Sequence, residues 1–203
     1  MPTTLEAATT LLGLTKPPSP GEHDEMVALG LVAPDGHVLP SPRPPDNGFD
    51  TSLTRRSAIR APGVLNEAHR YPRPSSFARG IRFDPADSTM LLISGTASID
   101  EHGATRYPGD FRAQLWRTYR NITALLSAEA AGWHDVVRTT CYLRDIERDY
   151  RDFNEIRTAF FTWLGLDPLP ASTGIQARLC REDLLVEIEA IAVFPRLRLG
   201  EAR

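Results

Sequence analysis

Apolar residues recur along this chain at two periods, and the switch between them marks out the elements. FARGIRF (77–83) and TMLLISG (89–95) are strand-like runs joined by the turn-forming DPADS, and DEHGA (100–104) reads as the tip of a further hairpin that passes into ATRY. After the turn Pro108-Gly109-Asp110, which also supplies an N-cap, Leu115, Tyr119, Ile122 and Leu126 recur at spacings of four, three and four. That stripe predicts an amphipathic helix ending near Gly132. DVVRTTCYLRD (135–145) is β-branched and predicts a strand, while Phe153, Ile156, Phe160 and Trp163 or Leu164 mark a second helix ending near Gly165. STGIQARLC (172–180) and LLVEIEAIAV (184–193) predict two closing strands. The order ββ(β)αβαββ predicts an α+β protein, an α/β sandwich with two helices packed on one face of a mixed sheet.

The last of these strands carries an anomaly. Side chains alternate across a strand, so Glu187 and Glu189 share a face with Leu185, Ile191 and Val193, while Leu184, Val186, Ile188, Ala190 and Ala192 line the other. Both faces are largely apolar, which predicts cover on both, and an ionised carboxylate there needs a partner or a task. Helices supply one cover, so association through the sheet's open face is the simplest source of the second. A cleft between subunits is then the natural place for Glu187.

Composition divides the chain near residue 75. Twelve of the seventeen prolines fall at or before Pro74, so 1–75 reads as a Pro-rich, partly irregular N-terminal arm and 76–203 as the folded domain. Within the arm, 5–14 and HDEMVALGLV (23–32) are candidate short helices. A net charge of -3 gives no electrostatic case for nucleic acid or an anionic membrane. With no apolar run long enough to span a bilayer and no signal-peptide pattern at the N-terminus, the expected compartment is the cytoplasm. Cys141 and Cys180 lack metal-ligand spacing and read as two buried free thiols. The histidines are scattered singly, His134 being expected at an exposed helix-to-strand connection, and no Gly-rich phosphate loop, GxSxG or HExxH is present. Neither a metal nor an organic cofactor is expected.

The series SGTASID, GDFRAQLWRTYRNITALL, DVVRTTCYLRD, YRDFNEIRTAFF, PASTGIQARLC and LLVEIEAIAV resembles the Rid/YjgF family and, within it, the catalytic domain of chorismatases. The resemblance runs unbroken from about Phe77 to Pro195. It implies a chorismate-mutase-like fold, a homotrimer, and sites in clefts between neighbouring subunits. Known chorismatases carry a longer domain ahead of the catalytic one, for which the first seventy or so residues here are too short. Rid imine deaminases carry a carboxylate-binding arginine two residues after a proline; here Pro170-Ala171 is followed by Ser172, which offers no bidentate clamp. Their water-positioning glutamate matches Glu187, and chorismatases have their proposed general acid at the same position.

The resemblance and the strand pattern together define candidates. Glu187 is the expected catalytic residue, because protonating the methylene carbon of an enolpyruvyl ether requires an acid kept neutral by burial. Ser94, Asn154 and Thr173 match positions that line the family's cleft, and Gly174 leaves room for a ring-shaped ligand or marks a bulge. Arg157 on the second helix, or Arg178 on the penultimate strand, is expected to replace the arginine missing at Ser172. Tyr142 either closes the pocket or packs in the core. Three functions remain open: a chorismatase-like hydrolase or lyase acting on chorismate or a related cyclic enol-type acid, a Rid-type enzyme acting on an imine or enamine, and a non-catalytic ligand-binding trimer.

Overall fold

A computed structural model describes residues 9–11, 17–28, 30–40 and 54–196. The chain divides into two units, Met1–Phe49 and Asp50–Arg203. In the first, helix α1 spans Pro20–Ala28. The helix predicted over 23–32 therefore begins earlier and stops sooner, because Gly30 turns the backbone to φ 69° and Val32 then bridges Val38. The helix predicted over 5–14 lies outside the described residues except for 9–11, which are helical.

The second unit is built on six strands: β1 (Thr54–Ala58), β2 (Gly80–Pro85), β3 (Ser88–Ala97), β4 (Val136–Leu143), β5 (Ala171–Gln176) and β6 (Val186–Pro195), in the spatial order β1-β2-β3-β6-β4-β5. All neighbours are antiparallel except β4 and β5, which are parallel. Helix α2 (Phe111–Ser127) starts at Asp110, whose carboxylate accepts from the Ala113 N–H at 3.0 Å. It stops short of Gly132, after which Ala130 takes a left-handed conformation. Helix α3 (Ile146–Leu164) is capped by Asp145 and ended by Gly165 at φ 66°. Both stripes are buried as the spacing predicts: Leu115, Tyr119, Ile122 and Leu126 on α2, Phe153, Ile156 and Phe160 on α3. Trp163 is exposed, and Leu164 packs on the core instead. The fold is the mixed sheet with two helices on one face that the periodicities predict.

Three details depart from expectation. The hairpin around 100–104 is reduced to one bridge, Ile99 to Thr105, closed by the Asp100 carboxylate accepting from the His102 and Ala104 N–H groups. Strand β1 has no apolar alternation to announce it; TRRSA joins the sheet by pairing with β2 alone. Cys180 is exposed rather than buried, since it lies in the loop between β5 and β6, while Cys141 is buried. His134 is exposed in a single 3-10 turn ahead of β4, as expected.

Candidate active site

The register of the sheet decides which side chains can meet. Along β6, Val186, Ile188, Ala190 and Ala192 are buried against the helices, and Glu187, Glu189, Ile191 and Val193 line the opposite, open face, half-buried. Two polar side chains, the buried Gln114 and the half-buried Arg144, fix the start of this strand. Gln114 of α2 accepts from the Leu185 N–H at 2.8 Å and donates to the Asp183 carbonyl at 2.8 Å, and Arg144 donates to the Leu184 carbonyl at 2.6 Å. Residue 187 is thereby held in one register, opposite Ala97 of β3 and Tyr142 of β4.

Around Glu187 the backbone is shaped to its carboxylate. The β3–β6 ladder shifts between Ile93 and Thr96, and the irregularity brings Gly95 against the glutamate: a Cβ on Gly95 would lie 2.0 Å from Oε1. Ser94, at the same irregularity, donates its hydroxyl to the Ala78 carbonyl at 2.8 Å. Burial raises the pKa of Glu187 above the ordinary glutamate value, Glu189 raises it further, and the positive charge of Arg79 acts in the opposite sense. Tyr142 is raised as well, by burial first, then by the neighbouring Glu189 carboxylate, and by Glu187. Glu187, Tyr142 and Ser94 are thus brought together at the middle of the open face.

A second group forms at the sheet's edge, where α3 meets β5. The Ser172 hydroxyl accepts from Thr139 at 3.0 Å and from Arg157 at 3.2 Å. Arg157 also donates to the Asn154 side-chain carbonyl and lies 4.8 Å from the centre of the Phe153 ring. Beside it is a cleft of about 210 Å³ lined by Arg157, Thr158, Phe161, Thr162, Leu169, Pro170 and Ser172. Gly174 follows on the same face as Ser172, with open space where its side chain would be, the nearest atom belonging to Tyr150 at 3.9 Å. It marks no bulge, because β4 and β5 stay in register from Arg138 to Leu143. Thr173 faces the other way, accepts from Arg138 at 3.1 Å and pairs with Thr140, whose other neighbour is Glu189.

Arg178 stands apart from both groups. It was expected on the penultimate strand, but β5 ends at Gln176 because its partner β4 ends at Leu143, where the chain turns through Asp145 into α3. Arg178 is exposed in the loop beyond. One residue absent from the expected set belongs near Glu187: Arg79, 4% exposed, whose Nε donates to the Asn66 carbonyl at 2.9 Å. Its sequence signal is the one that singles out Glu187, a charge placed in line with Phe77, Ile81 and Phe83 on one face of a strand.

Chemically, the open face holds a carboxyl whose pKa burial raises above the ordinary glutamate value, a tyrosine and a serine, while the edge holds an arginine, an amide and a hydroxyl. Among the described residues no cluster of His, Cys, Asp or Glu has the makings of a metal site, and no helix is long and apolar enough to cross a membrane.

A mixed six-stranded sheet with two helices on one face and a buried glutamate on the other describes a recognisable class, and comparison with known proteins gives it a family. The model of the endoribonuclease L-PSP family matches residues 75–194, and the chain belongs to this family, also called Rid/YjgF. A chorismatase of Streptomyces rapamycinicus is 33% identical over 148 residues, which cover 67% of this chain and 43% of that protein. The 2-iminobutanoate/2-iminopropanoate deaminase of Escherichia coli is 30% identical over 104 residues, 51% of this chain and 79% of the relative. The crystal structure of the Escherichia coli YjgF gene product superposes with a TM-score of 0.55 at 26% identity, covering 68% of this chain and 98% of that one.

Proposed function

We propose that this protein is a cofactor-independent hydrolase or lyase acting in biosynthesis on chorismate or a related cyclic enol-type carboxylic acid, with Glu187 as general acid. The observation that carries this reading is the half-buried Glu187 carboxyl, its pKa raised by burial and its position held against Gly95. A neutral carboxyl there donates its proton to the methylene carbon of the enolpyruvyl ether, giving an oxocarbenium ion and a carboxylate. The carboxylate stabilises the cation and orients a water, which adds to the cationic carbon and returns a proton to Glu187. The hemiketal then collapses, the ring alcohol leaves with a proton, and pyruvate is released.

In one subunit Arg157, Ser172 and Gly174 lie on the helix side of the sheet's edge while Glu187, with Thr173 at the far edge, lies on the open face, so we place the working site where the open face of one copy meets the β5 edge of another. The assembly proposed is a homotrimer in the cytoplasm, with Ser94, Tyr142 and Glu187 from one copy and Asn154, Arg157, Ser172, Thr173 and Gly174 from its neighbour. Ser172 supports the choice of chemistry: it is engaged by Thr139 and Arg157 and supplies no charge of its own.

The test is incubation with chorismate and, separately, with systems that generate imines, followed by assay for pyruvate and ammonia. Pyruvate release that falls about 10²- to 10⁴-fold in Glu187→Gln is the expected result. Ammonia release would move the protein to the imine-processing side of its family. Neither product above the Glu187→Gln background would sink both chemistries for these substrates.

A further inference from the structure

Arg79 is a buried cation that pairs with no carboxylate among the described residues. Arg79 stands immediately before β2, and its positive charge acts on Glu187 across the open face. Its backbone carbonyl accepts from the Ser94 N–H, which fixes it beside the irregularity that shapes the glutamate's surroundings. The guanidinium is gripped from three sides: by the Asn66 carbonyl at Nε, by the Tyr71 ring at 5.0 Å and by the Phe77 ring at 5.2 Å. Among the described residues, none accepts a hydrogen bond from its two outer nitrogens and none pairs with it as an ion.

Burying an arginine without a counter-ion is costly, and the fold bears that cost beside a glutamate whose pKa burial raises. An arginine paired for architecture would have a carboxylate on its fork. Arg82, within β2, has two: Asp84 at 2.9 Å and Glu129 at 3.1 Å. Phe77, 43% exposed, covers Arg79 from outside and is the group that an entering ligand would move.

We infer that Arg79 is the seat for a carboxylate of the substrate, supplying beside Glu187 the positive fork that Ser172 cannot. This assignment rests on Glu187 as the centre of the site and narrows the substrate to an acid whose carboxylate lies close to the carbon that receives the proton. The rigid grip on Nε leaves the outer pair of N–H groups pre-oriented for a bidentate carboxylate, which a neutral amide of the same shape cannot match. The absence of a protein carboxylate on the fork leaves it available, and an acid bound there would oppose ionisation of Glu187 by removing the cation's field from it.

Calorimetric titration of the full chain with benzoate and with benzamide, which share a shape and differ in charge, tests the seat. Wild type is expected to favour benzoate about ten- to hundredfold. Arg79→Gln should abolish that preference, Arg79→Lys should restore part of it, and Glu187→Gln should keep it. As a check that needs no substitution at a buried position, the ¹⁵N resonances of the wild-type Arg79 side chain are followed during the benzoate titration and are expected to shift. Equal affinity of wild type for the two probes, including none for either, overturns the assignment. So does a preference that survives Arg79→Gln, or a guanidinium resonance that does not move. Pyruvate release from chorismate is scored separately: an Arg79-dependent preference without turnover leaves the seat standing and removes the chemistry proposed for Glu187.

Discussion

Glu187 gains its character from what surrounds it within a few ångströms. Burial disfavours the charged form, so this carboxyl binds its proton more tightly folded than unfolded. A folded state that binds the extra proton loses stability as pH rises from the ordinary glutamate value of 4.5 through the raised one. Glu187→Gln removes that penalty, so the melting temperature of the variant should exceed that of wild type, by a margin that opens as pH rises above the ordinary glutamate value of 4.5 and levels off once the folded carboxyl is ionised. A margin that stays flat across this window would mean that the side chain ionises as freely as an exposed glutamate. Gly95 is the complementary case. Its replacement by alanine would put a methyl group 2.0 Å from Oε1, and either the strand or the carboxylate must move. Gly95→Ala should cost about 1–3 kcal/mol in urea denaturation and reduce turnover along with it.

Strand β6 is placed by groups that lie outside it. The buried Gln114 side chain satisfies the Leu185 N–H and the carbonyls of Asp183 and Tyr107, so a helix residue decides where the strand begins. Gln114→Ala strands the buried Leu185 N–H and leaves a cavity, and should destabilise the fold by about 2–4 kcal/mol, measured by urea denaturation, with turnover falling as Glu187 loses its register. Sequence periodicity located β6 and both helices because each buries a stripe against the core. It missed β1 because TRRSA pairs at the sheet's edge with no apolar alternation, and it overran β5 because nothing in STGIQARLC says that β4 will end at Leu143.

Across the sheet, the open face reads as a surface made to be covered. Ile81, Leu92 and Ile191 lie in one row of the ladder and Phe83, Met90 and Val193 in the next, with Leu92 still 41% exposed. A subunit packed there would complete the environment of Glu187. Leu92→Glu should therefore convert the proposed trimer to a monomer in light scattering and abolish pyruvate release while leaving the far-ultraviolet circular dichroism unchanged. Wild type running as a monomer at micromolar concentration would remove this basis for a shared site.

From residue order alone came the mixed sheet with its two helices and the shared face of Glu187 and Glu189, because periods of 2 and 3.6 are properties of the chain itself, while the choice of Glu187 as candidate came from the family resemblance. The two glutamates look alike at that level. In the fold, Gly95 and the irregularity of β3 lie against Glu187 while Glu189 neighbours Tyr142, relations between residues distant in the chain. The same holds for Arg79 and Arg178. Arg79 carried a parity signal in FARGIRF, but its burial and its empty fork depend on Asn66, Tyr71 and Phe77 closing around it. Arg178 lost its place on a strand because its neighbour turned away. Which side chains share a face follows from the geometry of one strand; which of them are desolvated, paired or left open depends on where the other strands stop.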